Sequence, residues 1–504
     1  MTEKKKRGSL SAFSILMLIL LVLCIVSAVL SGSPISDSVI KNLDPERYGS
    51  LLEILEQGNH VEVVGAGIKD FFMSIPNGFM DASDLIVFIF CIGGFIGIVM
   101  ETGALQAGVL HLVKKMKGKE ERLIVILMFL FSLGGTTYGM AEETIGFYAL
   151  ITTAMVAAGF DTLVALSTVL IGATSGVLGS TINPFATGVA MSSLKSVGIE
   201  PNVTLIMGLG VILWLSTYAI AAWYVTSYAK KVKADKGSTL LTVREQQIME
   251  EELGEEAAKA AELEFTGKHK AILTVFGISF IVMIISLISW PDLVFGGDED
   301  AFLAAMGWTD FLTGEPLGWW YFTQLAAWFT FASIIVAVIA GFSEKHFINS
   351  FLAGAADLIS VALIIATARG ITVVMNATHM DFWILDKSSQ LLSGVPALVF
   401  IPLAYIIYLI LSFLVPSTSG LAGLSIPVMG PLAAELGFNP TIMIMVFSAA
   451  SGVINYFTPT SGVVMGGVAA SRVEYSTYLK FVWKFLIIVG IANIVILTAA
   501  EMMS

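Results

Sequence analysis

The stretch Gly134–Glu143, GGTTYGMAEE, is polar and rich in glycine, yet apolar sequence surrounds it on both sides. The two apolar runs it separates, within Leu123–Phe160, are each short for the roughly 30 Å of hydrocarbon in a bilayer. They read as a re-entrant hairpin with the polar stretch at its tip. A counterpart, PSTSG at Pro416–Gly420, interrupts the apolar segment Pro396–Gly437 in the other half of the chain. Non-helical backbone at membrane depth is tolerated only where protein buries it or where it lines a watery cavity. Two such interruptions, one in each half, mark a solute pathway and point to a secondary transporter.

Composition places the whole chain in the same class. Of its 504 residues 56% are hydrophobic and 13% charged, and the mean hydropathy is +0.86, values that exclude an ordinary soluble protein. Much of the net charge of -12 lies in two polar segments, Ser31–Asp84 and Lys230–Lys270, and it does not speak for a nucleic-acid partner. Cys24 and Cys91 lie in apolar runs and read as buried thiols.

Lys and Arg collect in short cytoplasmic loops, which orients the crossings. Ser11–Leu30 follows Lys4, Lys5, Lys6 and Arg7; its length favours a first span leading outward, while small residues near Ala28 and Gly32 keep a cleaved signal peptide as the alternative. Leu85–Leu105 returns to Lys114, Lys115, Lys117, Lys119 and Arg122. After the first hairpin, Thr162–Ser196 crosses outward with a break around Ser180–Thr187, and Val203–Tyr228 comes back to Lys230, Lys231 and Lys233. The connector that follows has helical composition over Arg244–Glu264 and reads as a solvated helix. Ala271–Trp290 crosses outward and Pro291–Trp320 stays outside. Tyr321–Gly341 returns, Phe351–Thr378 leaves, and the second hairpin dips in from the outer side. Pro440–Ala470 crosses inward with a break at Asn455–Gly462, and Phe481–Ala500 crosses last. About nine crossings and two hairpins result, with the N-terminus cytoplasmic and the C-terminus outside.

The order of these elements repeats. Residues 1–228 form a first repeat (hairpin 123–160, broken helix 162–196). Residues 229–320 supply the cytoplasmic connector, a linking span and an outer loop. Residues 321–504 form a second repeat (hairpin 396–437, broken helix 440–470), inverted because one linking span separates the two. ATSGV at Ala173–Val177 echoes AASGV at Ala449–Val453, and each is followed by a proline, Pro184 or Pro459, inside the break. The expected fold is therefore an all-α polytopic membrane protein with inverted repeats, two re-entrant hairpins and two broken helices.

The breaks carry short polar side chains: Ser180, Thr181, Asn183 and Thr187 in one, Asn455, Thr458, Thr460 and Ser461 in the other. Unwound backbone, half-helix dipoles and such side chains are equipment for a carboxylate or a sodium ion; Ser180, Asn183 and Thr460 are the candidate sodium ligands. The bland alternative is that Asn-Pro and Thr-Pro simply kink a helix. At the first tip Glu142 and Glu143 are ionisable residues at membrane depth, hence functional candidates by default, and they suit a cation, an ammonium group or a proton. A structural alternative is that one of them caps the helix that starts at Thr144 and Ile145. Arg369, a basic residue inside an apolar span, either clamps a substrate carboxylate or pairs structurally with Glu101 or Glu142. Gly93, Gly94 and Gly97 read as helix-packing positions. The sequence has no HExxH pattern, no Walker sequence and no nucleophile elbow, so an enzyme or a primary pump lacks its chemistry.

GGTTYGMAEETIGFY at Gly134–Tyr148, GSTINPFATG at Gly179–Gly188, and the pair PSTSG and NYFTPTSG resemble the YfcC family, within the wider group of anaerobic C4-dicarboxylate carriers and the ion transporter superfamily. The likeness runs over nearly the whole chain. It implies a homodimer in the inner membrane, in which a scaffold holds a transport body of hairpins and broken helices that slides as an elevator. It also implies a substrate site in which Thr181 and Asn183 meet the tip, with Thr136, Thr137, Glu142 and Glu143, and in which Thr458 and Ser461 meet Ser417, Thr418 and Ser419; Asn455 joins this set from the reading of the second break. Members of the family are commonly labelled basic amino acid or arginine/ornithine antiporters, whereas the wider group carries dicarboxylates. The tip carboxylates favour a basic amino acid, Arg369 a C4-dicarboxylate, and coupling to sodium or protons is an alternative to exchange. An ion channel is the reading from another class, and two hairpins entering from opposite faces suit it less well than alternating access.

Overall fold

The computed structural model describes residues 12–41, 45–105, 107–108, 120–253, 265–288, 290–392, 395–415 and 417–504. The basic clusters Lys4–Arg7 and Lys114–Lys119, the end of the Glu-rich connector through Glu264, and Pro416 at the second tip lie outside the described residues. Among the described residues the chain is helical, and its only extended pairing is a bridge between Pro34 and Glu62.

Among the described residues seven helices are long and apolar enough to cross a membrane, or eight if the bent pair Glu344–Asp357 and Ala362–Thr378 counts as one span. The protein is thus a multi-pass membrane protein. Its spans leave residues such as Val338, Ile491 and Val495 exposed, as lipid-facing positions require. By contrast Thr162–Gly179 is buried almost along its whole length, and so is Pro440–Ile454. These two central helices touch where Ser448 Oγ donates to the Leu178 carbonyl at 3.2 Å and Tyr456 Oη to Ser175 Oγ at 3.0 Å. Each starts on a side-chain cap, Asp161 accepting from the Val164 N–H and Asn439 from the Thr441 N–H, which satisfies otherwise orphaned helix-start amides.

Four features differ from the sequence reading. First, Ser31–Asp84 is not only a polar loop: it contains the helix Ile68–Asp81, which lies against Ile359–Thr378. Gly78 allows this, since a Cβ there would collide with the Ala366 carbonyl and the Gly370 amide. Gly354 does the same for Glu344–Asp357, which lies against Gly93 and Gly97 of Ser83–Glu101, so those glycines do serve close packing. Mixed polarity (IKDFFMSIPNGFMD) hid Ile68–Asp81 from a hydropathy reading.

Second, the first hairpin arm, Glu120–Tyr138, has 19 residues and includes Gly134–Tyr138. The interruption shrinks to Gly139–Ala141, followed by a 3-10 turn at Glu142–Thr144 and the helix Ile145–Ala157. Gly134 and Gly135 stay helical because they are contact surface: a Cβ on Gly135 would strike the Ala173 carbonyl, as one on Gly176 would strike the Ser132 carbonyl.

Third, the first break is shorter than drawn, whereas the second, non-helical over Asn455–Ser461, matches the expected Asn455–Gly462 to within one residue. The first runs over Ser180–Asn183 before a π-turn at Pro184–Gly188, with Ser180 in the left-handed region at φ 42°. Fourth, the described part of the connector helix, through Leu253, is docked on the protein by one side chain and not solvated all round. Val243–Ile248 starts on a Thr242–Glu245 capping box. The Glu245 side chain is buried, accepting from the Glu474 N–H at 2.7 Å and the Thr477 hydroxyl at 3.0 Å.

Candidate substrate cavity

The tips and the breaks converge. One cavity, enclosing about 1200 Å³ with its open mouth included, is lined by Gly139–Glu143 of the first tip, Ser417–Ser419 of the second, Asn183 of the first break and Asn455, Thr460 and Ser461 of the second. Caps position these residues. Ser417 Oγ accepts from the Gly420 N–H at 3.1 Å to start Thr418–Glu435, and Ser461 Oγ accepts from the Val464 N–H at 3.4 Å to start Gly462–Ala470. Gly139, at φ 79°, makes the tip turn and leaves room for the Asn183 amide, which a Cβ would displace.

The two tip carboxylates divide. Glu143 is buried and bends back so that its Oε2 accepts from the Ala141 N–H at 3.0 Å, within the tip turn and not on the helix Ile145–Ala157, which starts without a side-chain cap. Glu142 is half-buried on the cavity wall. Arg369 lines the same cavity and its Nη1 stands 3.7 Å from Asp81 Oδ2, both side chains partly exposed. The expected pairing of Arg369 with Glu101 is therefore corrected: Glu101 lies 3.5 Å from His346, and Arg369 meets Asp81 because Ile68–Asp81 packs against its own helix.

Other named residues serve the frame. Thr181 Oγ1 donates to the Thr136 carbonyl at 3.0 Å, and its N–H donates to Thr136 Oγ1 at 3.2 Å, tying the first break to the hairpin. Thr137 sits on the helix and donates to the Leu133 carbonyl at 2.7 Å. Thr458 is buried against Thr460, 2.6 Å between hydroxyl oxygens, and Ser180 accepts from the Asn183 amide nitrogen at 3.0 Å. Thr136, Thr137, Ser180, Thr181 and Thr458 are not among the lining residues. The three candidate sodium ligands are bonded in two separate pairs, Ser180 with Asn183 and Thr460 with Thr458, and among the described residues no cluster of His, Cys, Asp or Glu could hold a metal.

An aromatic wall was missed. Phe185, Tyr321 and Phe322 line the cavity, with Phe185 parallel to Phe322 at 6.2 Å and 5.5 Å from Tyr321 between ring centroids. Phe185 stood in plain view inside GSTINPFATG, but only the fold brings it to the start of Phe322–Ala340.

The family model for DcuC, the C4-dicarboxylate anaerobic carrier, matches residues 10–502. An uncharacterized protein of Haemophilus influenzae is 34% identical over 422 residues, covering 84% of this chain and 76% of that one. Escherichia coli YfcC, by name a candidate basic amino acid antiporter, is 26% identical over 452 residues, covering 87% and 82%. Among solved structures, the YdaH transporter of Alcanivorax borkumensis matches with a TM-score of 0.46 at 13% identity, covering 97% of both chains. MtrF of Neisseria gonorrhoeae, described as illuminating a class of antimetabolite efflux pumps, gives 0.46 at 14% identity, covering 98% and 95%.

Proposed function

From the premise that this chain belongs to the DcuC family and is a membrane transporter, not an enzyme, we propose that it carries a basic amino acid such as arginine or ornithine, by exchange or coupled to sodium or protons. The observation that carries this reading is the pair Glu142 and Glu143 on one wall of a cavity that the aromatic rings of Phe185, Tyr321 and Phe322 also line. Carboxylates attract an ammonium or guanidinium group, and ring faces add cation–π attraction. The name of the Escherichia coli relative agrees with it. In this reading Glu142, Asn183, Ser417, Thr418, Ser419, Asn455 and Ser461 contact the solute, while Thr136, Thr137, Thr181 and Thr458 hold the backbone that presents them.

The proposal includes transport by an elevator motion of an inverted-repeat fold, with residues 1–228 and 321–504 as the repeats and 229–320 between them. In its support, one sequence offset relates Gly78 to Gly354, Ala173 to Ala449 and Glu142 to Thr418. The contact of Gly78 with the later bent helix has its counterpart in the contact of Gly354 with the earlier one. A homodimer in the inner membrane, N-terminus inside and C-terminus outside, belongs to the same proposal. The pairs Lys230–Glu121 and Lys233–Glu120, at 3.3 and 3.0 Å, support a common face for the ends of Val203–Ala234 and Glu120–Tyr138.

Counterflow in proteoliposomes tests the reading. Arginine preloaded inside accelerates uptake of labelled ornithine through an exchanger, but not through a channel. Glu142→Gln is expected to abolish most of that uptake; full activity in Glu142→Gln and Glu143→Gln alike removes both carboxylates from the mechanism. Arg369 on the cavity wall favours a second reading, a C4-dicarboxylate. Uptake of a labelled C4-dicarboxylate that arginine does not compete with would replace the first reading by the second.

A further inference from the structure

The cavity wall carries opposite charges on two elements, the first hairpin and the helix Ile359–Thr378, and Gly462–Ala470 of the second broken helix packs on both. Glu142 and Glu143 belong to the hairpin, whose first arm, Glu120–Tyr138, packs on Thr162–Gly179. Arg369 belongs to Ile359–Thr378, which Gly78 locks against Ile68–Asp81. Arg369 faces the cavity and also touches Asp81, at 3.7 Å, with neither side chain fully buried. It therefore stands between two acidic partners, Asp81 on its own side and the tip carboxylates across the cavity.

We propose that Arg369 is a charge lock that holds the unloaded carrier in place and so makes transport an exchange. The proposal rests on the reading above, that the hairpins and broken helices move as a body and that the cargo is cationic. Without cargo, sliding the tip away from Arg369 separates opposite charges and carries uncompensated carboxylates past the apolar layer of the membrane, both of which oppose the motion. A bound guanidinium or ammonium group gives the tip a counter-charge that travels with it. Arg369 then stays behind, neutralised by Asp81. The lock opens only for a loaded body, so solute leaves one side only as solute returns from the other.

Efflux of labelled arginine from proteoliposomes into buffer with and without arginine reads the lock directly. Wild type is expected to release label about tenfold faster into arginine-containing buffer. Arg369→Gln should bring that ratio close to one by accelerating release into arginine-free buffer, and Arg369→Lys, which keeps the charge, should restore the preference. Asp81→Asn leaves Arg369 entirely to the tip, so the arginine concentration that half-saturates exchange should rise about tenfold. Wild type that exchanges no arginine overturns the reading of the cargo and the lock with it. Wild-type exchange together with an Arg369→Gln variant that keeps the high ratio, or that is folded yet inactive in both buffers, overturns the lock alone. Should Arg369→Gln not fold, Asp81→Asn decides, and unchanged half-saturation counts against the lock.

Discussion

Thr136 and Thr181 are joined by two hydrogen bonds that Thr181 donates: its hydroxyl to the Thr136 carbonyl at 3.0 Å, and its N–H to the Thr136 hydroxyl oxygen at 3.2 Å. Both residues are buried. The first hairpin and the first helix break are thereby one unit. Thr181→Val keeps the shape but removes the hydroxyl that bonds Thr136, whose carbonyl keeps only the Ile182 N–H at 3.3 Å, and the lost hydrogen bonding costs about 1 kcal/mol. A lower melting temperature in detergent, with substrate affinity changed less than by Glu142→Gln, is the expected result.

Glu142 and Glu143 should separate in mutagenesis. Glu143 accepts from the Ala141 N–H, so Glu143→Ala, which removes a charged hydrogen bond, is expected to destabilise by about 1–2 kcal/mol. Glu142→Gln should leave the melting temperature near that of wild type and weaken arginine binding about tenfold, the loss of one charged hydrogen bond. Thermal shift and isothermal titration on the same preparations check both halves.

The glycine contacts Gly135–Ala173 and Gly176–Ser132 set the spacing between the hairpin and the central helix. Gly176→Ala puts a methyl group onto backbone rather than onto a pliable side chain, so overpacking should cost about 1–3 kcal/mol or more. Loss of monodisperse protein on size-exclusion chromatography is expected for Gly176→Ala. Gly208→Ala, where a Cβ meets nothing within 4 Å, is the control expected to behave as wild type.

Asp161, the cap ahead of Thr162–Gly179, is buried and accepts from the Tyr228 hydroxyl and the Thr239 hydroxyl, each at 2.7 Å. Burial raises its carboxyl above the usual carboxylate range, and those hydrogen bonds pull it part of the way back. Its proton is thus held more tightly in the folded state than in the unfolded one, where the carboxyl titrates at about 3.9. The contribution of Asp161 to stability is accordingly greatest below that value, falls as pH rises to the folded-state value and is level beyond it. Asp161→Asn keeps an oxygen for the cap and removes this slope. The melting temperature of wild type relative to the variant should decline on going from about pH 4 towards neutrality.

The amino-acid sequence alone determined the membrane class, the two polar tips, the two proline-bearing breaks and the family likeness. Each is a local property: hydropathy is summed over one helix length, and a polar interruption is visible against its own neighbours. Those local signals also named most of the polar side chains that gather at the cavity, from Glu142 and Asn183 to Ser417 and Ser461. Tertiary structure alone decided which of them face it. Thr136, Thr181 and Thr458 carry the same short polar side chains as Thr418 and Ser461, yet they turn inward to hydrogen-bond the frame, because a buried carbonyl or hydroxyl must be paired. It also decided the partner of Arg369 and the aromatic wall of Phe185, Tyr321 and Phe322. Asp81 lies on a helix too mixed in polarity to read as one, and Phe185 meets Tyr321 only through the packing of elements distant in sequence. Such contacts depend on glycine-permitted approaches between helices, and no periodicity along a single segment encodes them.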